Sequence, residues 1–341
     1  MRTLLLIILC LLLAGPALAV KTDTLVMING DHLTCEIKKL EYAKLTVKTD
    51  DMGTLSIEWD KIARLTSPIG FQVRTREGEV SYGILIEPSH DGLLAVRWSE
   101  RVTEIPLDQI TGLQQIKFTF WDAVTASVSL GFSYTKATEV TQLNFSTNGD
   151  YRGRIHGYGY SFAANITDQG PDLPVYRRWD TDIYHTKQLS GRLWSDLTLG
   201  GQRNDELGLQ LRLYGGAGAG YRIAESNHLA LQANLGANVT REWATEDSDS
   251  EDAVEGRIGV SFSMFAYDSP KTDIRVNLDA YPSFTVDGRV RTEASISARR
   301  EVISDLFVEI QYYESNDNKP PAGAAATSDR GLVFSVGWNK Y

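Results

Sequence analysis

From Val124 the even positions read Val124, Ala126, Val128, Leu130, Phe132, Tyr134, and the odd ones Thr125, Ser127, Ser129, Gly131, Ser133, Thr135. A period of two with one apolar face is the pattern of a β-strand. It returns along the chain in Leu207 to Leu213, Leu229 to Val239, Ile258 to Ala266, Ile274 to Ala280, Leu306 to Tyr312 and Leu332 to Trp338. The opposite face carries Gln210, Arg212, Gln232, Asn234, Arg257, Arg275, Asn277, Asp279, Arg291, Glu293 and Glu309. Such runs exceed the roughly 5–6 residues usual in soluble sheets. They predict an all-β chain whose residues 118–341 form a transmembrane antiparallel β-barrel of about 12 strands with a wet interior. Trp121, Tyr134, Tyr151, Tyr221, Trp243, Tyr267, Tyr281 and Trp338 fall at strand ends and read as an interfacial girdle.

Connections support the count. Short turns are expected at Asn148-Gly149-Asp150, Ala224 to Asn227, Asp268 to Lys271 and Glu301 to Ser304, and longer ones at Thr167 to Asp180, Ala244 to Asp252 and Ser315 to Ser328. Alternating short and long connections, with an even strand number, put both barrel ends on the periplasmic side.

Residues 20–117 have a different grain. Thr24 to Ile28, Leu33 to Ile37, Leu45 to Val47 and Leu55 to Trp59 are short strands separated by Asn29-Gly30-Asp31 and Met52-Gly53. Trp59-Asp60-Lys61-Ile62 to Leu65 returns as Leu107-Asp108-Gln109-Ile110 to Leu113, Leu45 as Leu93 and Gly30 as Gly78, always 48 positions on. Two copies of a unit too small to bury a large core alone predict a tandem SH3-like β domain. Asp60 and Asp108, just ahead of Ile-x-x-Leu, suit helix capping rather than catalysis. His32 and His90 lie beside turns and are expected to be solvated.

Composition sets a compartment. Arg2, an apolar run from Leu4 to Ala14 and Ala17-Leu18-Ala19 form a secretory signal over residues 1–19, cleaved after Ala19. Cys10 falls in that signal behind Leu9, where lipoprotein processing would need a small residue, so Cys35 is the mature chain's one cysteine and no intrachain disulfide is possible. With no later apolar stretch long enough for a membrane helix, a spanning chain must close as a barrel. A net charge of −10 argues against nucleic acid as a partner. The expected location is the outer membrane of a Gram-negative envelope, with residues 20–117 in the periplasm.

Candidate chemistry is sparse. His156, His185 and His228 sit in no nucleophile motif, although the strand from Arg154 to Ile166 leaves open a serine beside His156 and hence an envelope hydrolase. The acids Glu242, Glu246, Asp247, Asp249, Glu251, Asp252 and Glu255 lack the spacing of a calcium loop and read as a solvated run. Glycines from Gly215 to Gly220 are followed by no lysine or helix, so they suit close strand packing. No cofactor, metal or catalytic residue is assigned. The candidate interior-lining set is Arg212, Arg257, Arg275, Asp279, Arg291, Glu293 and Glu309, accompanied by Arg289 and Asp273. These charges can line a narrow polar pore or pair and plug it.

Gly216-Ala217-Gly218-Ala219-Gly220-Tyr221 after Asn204-Asp205-Glu206, Tyr281-Pro282-Ser283, and Tyr312-Tyr313-Glu314-Ser315 through Pro320-Pro321-Ala322-Gly323 to Asp329 together resemble the salt-induced outer-membrane protein family that carries domain of unknown function 481. Asn29-Gly30-Asp31 and Trp59-Asp60-Lys61-Ile62 resemble the small β domain found ahead of that barrel. The resemblance implies an outer-membrane β-barrel and no particular activity. Phe334, Val336, Trp338 and Tyr341 are the candidate assembly signal, with Tyr341 out of phase and Trp338 standing in for it. Expected partners are outer-membrane lipids, the barrel-assembly machinery and an envelope ligand of residues 20–117. Two functions follow as expectations: a narrow polar channel or envelope-integrity factor, or a non-conducting barrel anchoring a periplasmic binding domain.

Overall fold

The computed structural model describes residues 22–116, 124–135, 140–153, 155–170, 175–205, 208–244, 250–303, 306–320 and 327–338. The signal with its cleavage after Ala19, Trp121, Leu207, Glu246, Asp247, Asp249 and Tyr341 lie outside them.

The N-terminal sheet has nine strands: β1 (Asp23–Met27), β2 (His32–Glu41), β3 (Lys44–Lys48), β4 (Thr54–Glu58), β5 (Ile62–Thr75), β6 (Val80–Ile86), β7 (Leu93–Trp98), β8 (Arg101–Pro106) and β9 (Ile110–Gln115). One-turn 3-10 helices, Trp59–Lys61 and Leu107–Gln109, precede β5 and β9. The repeat is visible in this order. β5 is long because it ends the first copy, where it pairs with β1, and begins the second, where it pairs with β6 and β9. Gly30 and Gly78, 48 residues apart, both turn at positive φ (90° and 82°), a conformation glycine adopts without a Cβ clash. The copies also touch at equivalent positions, since the Trp59 indole N–H donates to the Leu107 carbonyl at 2.7 Å. Apolar residues at alternate positions, among them Leu25, Ile37, Leu45, Leu65, Phe71, Leu94 and Ile110, join in one core that neither copy completes alone.

Asp60 and Asp108 do not cap these turns. Each is inside its one-turn helix, Glu58 and Pro106 occupy the N-cap positions, and neither cap makes a side-chain hydrogen bond. Asp60 instead faces Lys61 at 3.4 Å.

The second sheet is a twelve-stranded antiparallel meander, each strand paired with the next in sequence. Its strands are β10 (Val124–Thr135), β11 (Val140–Arg152), β12 (His156–Asp168), β13 (Tyr176–Gln188), β14 (Leu193–Asn204) and β15 (Leu209–Glu225). They continue as β16 (Leu229–Ala244), β17 (Ser250–Ala266), β18 (Thr272–Pro282), β19 (Val290–Ile303), β20 (Leu306–Asp317) and β21 (Ser328–Trp338). β10 and β21 are its two edges, and among the described residues no ladder joins them. The sheet curls into a barrel-like wall, for residues of β13, β15 and β19–β21 line one common cavity. Connections of only a few residues join β11 to β12, β13 to β14, β15 to β16, β17 to β18 and β19 to β20 at the end that also holds the start of β10 and the end of β21.

Asn148-Gly149-Asp150 is not one of these turns. It lies within β11, and the chain reverses after Arg152. Asn148 and Asp150 belong to the polar interior face, while Gly149 leaves room for the Tyr160 ring, which a Cβ there would strike. Tyr281 also differs from the girdle expectation: on the interior face opposite Arg291, its ring lies 4.8 Å below that guanidinium. Val128, Leu130 and Phe132, by contrast, point outward at 70–71% exposure.

Candidate functional site

Two regions concentrate the polar chemistry, one inside the wall and one at its short-turn mouth. Strand register decides the first. Asp196, Gly218, Gly236 and Arg257 are successive partners across β14 to β17, so they share the interior face. The glycines leave space over two strands, and through it Arg257 reaches Asp196 on β14 in a direct ion pair.

Toward the long-loop end a denser network forms. Arg212 on β15 donates to Glu242 on β16 at 2.6 Å. Arg289, in the β18–β19 connection and 1% exposed, donates to Glu242 at 2.9 Å and to Asp317 on β20 at 2.6 Å. Arg291 on β19 grips Glu255 on β17 through two hydrogen bonds of 2.9 and 2.6 Å. Buried charges persist where they are paired and hydrogen-bonded, and each of these arginines is. A cavity of about 110 Å³ remains between Arg178, Asp180, Arg212, Arg291 and Glu293.

Of the seven residues nominated from sequence, Arg212, Arg257 and Arg291 enter these pairs, and Glu293 lines the cavity beside them. Asp279 pairs with Glu293 in the ladder on the interior face. Arg275 and Glu309 lie nearer the short-turn end, where Arg275 meets Asp273 at 3.0 Å and Glu309 accepts from Gln311 at 2.5 Å. Phe334, Val336 and Trp338 share the exposed outward face of β21.

Glu242 and Glu255 are the residues the sequence reading missed. Taken as part of a solvated acidic run, they are buried at 2% and 0% exposure because each lies in the interior phase of its strand. The signal was there in register: Glu242 and Glu255 fall at even and odd positions continuous with Asn234 and Arg257 respectively. Among the described residues, no group of three or more His, Cys, Asp or Glu side chains could hold a metal. His156 Nδ1 lies 2.9 Å from His185 Nε2, and both rings stack with Tyr158. His90 is exposed, its Nδ1 2.8 Å from the Asp91 carbonyl.

The second region is the mouth itself, across which the N-terminal domain is docked. Arg152 meets Glu41 at 2.8 Å, Arg192 donates to the Arg76 carbonyl at 2.9 Å, Arg74 grips Glu225 at 2.6 and 3.1 Å, and Lys61 meets Asp268 at 2.8 Å. Each contact falls at a different short turn, so four of the five turns hold the domain. Phe265, only 3% exposed, completes the N-terminal core from the end of β17 and meets the Tyr42 ring edge-on at 5.7 Å. Tyr267 donates to the Tyr42 carbonyl at 2.7 Å, and burial pushes its phenol up to about 12. A cavity of about 510 Å³, open to solvent on one side, lies between domain and wall.

Fold and site together define a β-barrel-like protein with a charge-paired interior and a second β domain docked on its mouth. No helix among the described residues is long and apolar enough to cross a membrane, which leaves the strands as the elements to consider. The family model described as a protein of unknown function, DUF481, matches residues 125–338, well over half of the chain. The chain therefore belongs to the DUF481 family, and the match begins and ends with the twelve-stranded sheet. No curated protein matches the chain.

Proposed function

We propose that the protein is an outer-membrane β-barrel that anchors its N-terminal β domain on the periplasmic mouth and does not conduct at rest. The observation that carries this reading is the docked domain, held at four of the five short turns. Paired interior arginines support it, because an open pore would leave such cations hydrated rather than bound to carboxylates. The membrane part rests on strand length, on the outward apolar faces and on the inequality of the two sets of connections. A periplasmic position for the docked domain is supported by the even strand number, since the domain sits at the end that holds both sheet termini and in such barrels that end faces the periplasm.

Planar-bilayer recording with the full chain tests the proposal. Silence is expected in the wild-type protein, and discrete steps are expected once Arg257→Ala and Asp196→Ala are combined with Arg74→Ala and Arg152→Ala. Steady conductance of the unaltered chain would favour the narrow polar channel instead.

A further inference from the structure

The cavity between domain and wall contains three arginines, and two of them are neutralised. Arg74 is bound through two nitrogens to Glu225, and Arg152 to Glu41. A third carboxylate, Asp150, accepts from the Tyr184 hydroxyl. Arg222 has no ion-pair partner among the described residues, and it is half-buried at the cavity wall. Its Nη1 donates only to neutral oxygens, Gln188 Oε1 at 3.3 Å and the Gly191 carbonyl at 3.2 Å, both long bonds. The guanidinium carbon lies 4.9 Å from the centre of the Trp194 ring, a cation–π contact that helps hold it at the cavity wall. A planar, positioned and unneutralised guanidinium is the group that takes a carboxylate in two parallel hydrogen bonds.

The rest of the lining narrows the ligand. Gln72, Gln114, Gln188 and Gln232 all border the space, and each amide offers both donors and an acceptor, which is what hydroxyl groups require. No lysine lines it, and with three arginines balanced by the carboxylates of Glu41, Asp150 and Glu225 the lining has no surplus charge for a phosphate dianion, so the locally unpaired Arg222 suits a monoanion. The volume of about 510 Å³ falls within the roughly 300–1,000 Å³ of small-molecule sites. We propose that this cavity binds a sugar acid, with Arg222 holding the carboxylate and the glutamines reading the hydroxyls. The inference rests on the docked arrangement, because Gln72 and Gln114 come from the N-terminal domain and Arg222, Gln188 and Gln232 from the barrel wall.

The test is calorimetric titration of the full chain in detergent micelles with D-glucuronate, D-glucose and inorganic phosphate. Glucuronate should bind at least tenfold tighter than either of the others. Arg222→Gln should weaken it at least tenfold and Arg222→Lys less, because the cation remains but the planar fork is gone. Gln188→Ala, which keeps the charge, should cost a few-fold and serves if Arg222→Gln does not fold. Equal affinity for glucose, tighter binding of phosphate, or indifference to both substitutions overturns the proposal. Docking is read separately by carbodiimide coupling of Lys61 to Asp268, which are 2.8 Å apart. Coupling without glucuronate binding sinks the ligand proposal alone. Failure to couple sinks the docked arrangement and the composite site with it, even if glucuronate binds elsewhere.

Discussion

Asp23 fastens three strands from a position only 1% exposed: the Ile37 N–H donates to it at 2.7 Å and the Ser67 hydroxyl at 2.5 Å. Burial pushes its carboxyl above the ordinary value, against the two hydrogen bonds that favour the anion. A folded pKa above the unfolded one means the contribution to stability is complete below about pH 4 and is lost as pH rises through the folded value. Asp23→Asn, which keeps an acceptor for Ile37, should therefore melt at or above the wild-type temperature at pH 7, with the difference closing near pH 4. Asp23→Ala should lose about 1–3 kcal/mol at both, since the Ile37 N–H is left unsatisfied. Arg289 makes a similar point with the opposite charge. Arg289→Ala strands Asp317 and half of Glu242, at a cost of about 3–5 kcal/mol typical of a broken buried pair, read as earlier loss of heat-resistant migration on gels. Glu242, which Arg289 shares with Arg212, and Glu255, which Arg291 holds, were missed in the sequence because charge density suggested solvent, whereas strand phase, carried on from Asn234 and Arg257, puts both inside.

The turn between β2 and β3 shows what an element can carry at its own expense. Tyr42 and Ala43 both have positive φ, 50° and 52°, where Asn-Gly is the favoured pair and a side chain costs about 1–2 kcal/mol per residue. The strain is offset by contacts outside the turn: Tyr42 touches Phe265 and accepts from Tyr267, and the Ala43 carbonyl accepts from the Trp59 N–H at 2.9 Å. Tyr42→Asn with Ala43→Gly should raise the unfolding temperature of the N-terminal domain while speeding amide exchange at the β17–β18 turn. Unchanged exchange there would show that the strained pair serves only its own hairpin. This turn carried no warning in sequence, since Tyr-Ala is not turn chemistry. Asn148-Gly149 erred the other way, with turn residues serving an interior face and a neighbouring ring. The long alternating strands and the 48-residue repeat were legible because a period of two and a fixed offset survive any local exception.

At the scale of the molecule, domain and wall are joined by charges that respond to solvent. Burial opposes the Glu41 anion, but Lys39 and Arg152 outweigh it and hold the carboxyl below its ordinary value. The stabilisation this supplies is present above the unfolded pKa of about 4.3 and is lost as pH falls through the folded one. Acidification below about pH 4 should thus loosen docking, read as faster exchange of the β2–β3 turn amides, and Glu41→Gln should show that loosening already at neutral pH. The four docking turns are also spread through the chain, from Arg152 to Asp268, whereas the domain they hold is made first. The N-terminal domain therefore cannot reach its full set of contacts until the hairpins from β11 to β18 are all in place. Its final seating therefore reports that most of the hairpins have reached their places, and a misregistered wall would leave Phe265, 3% exposed when seated, uncovered for proteases to find.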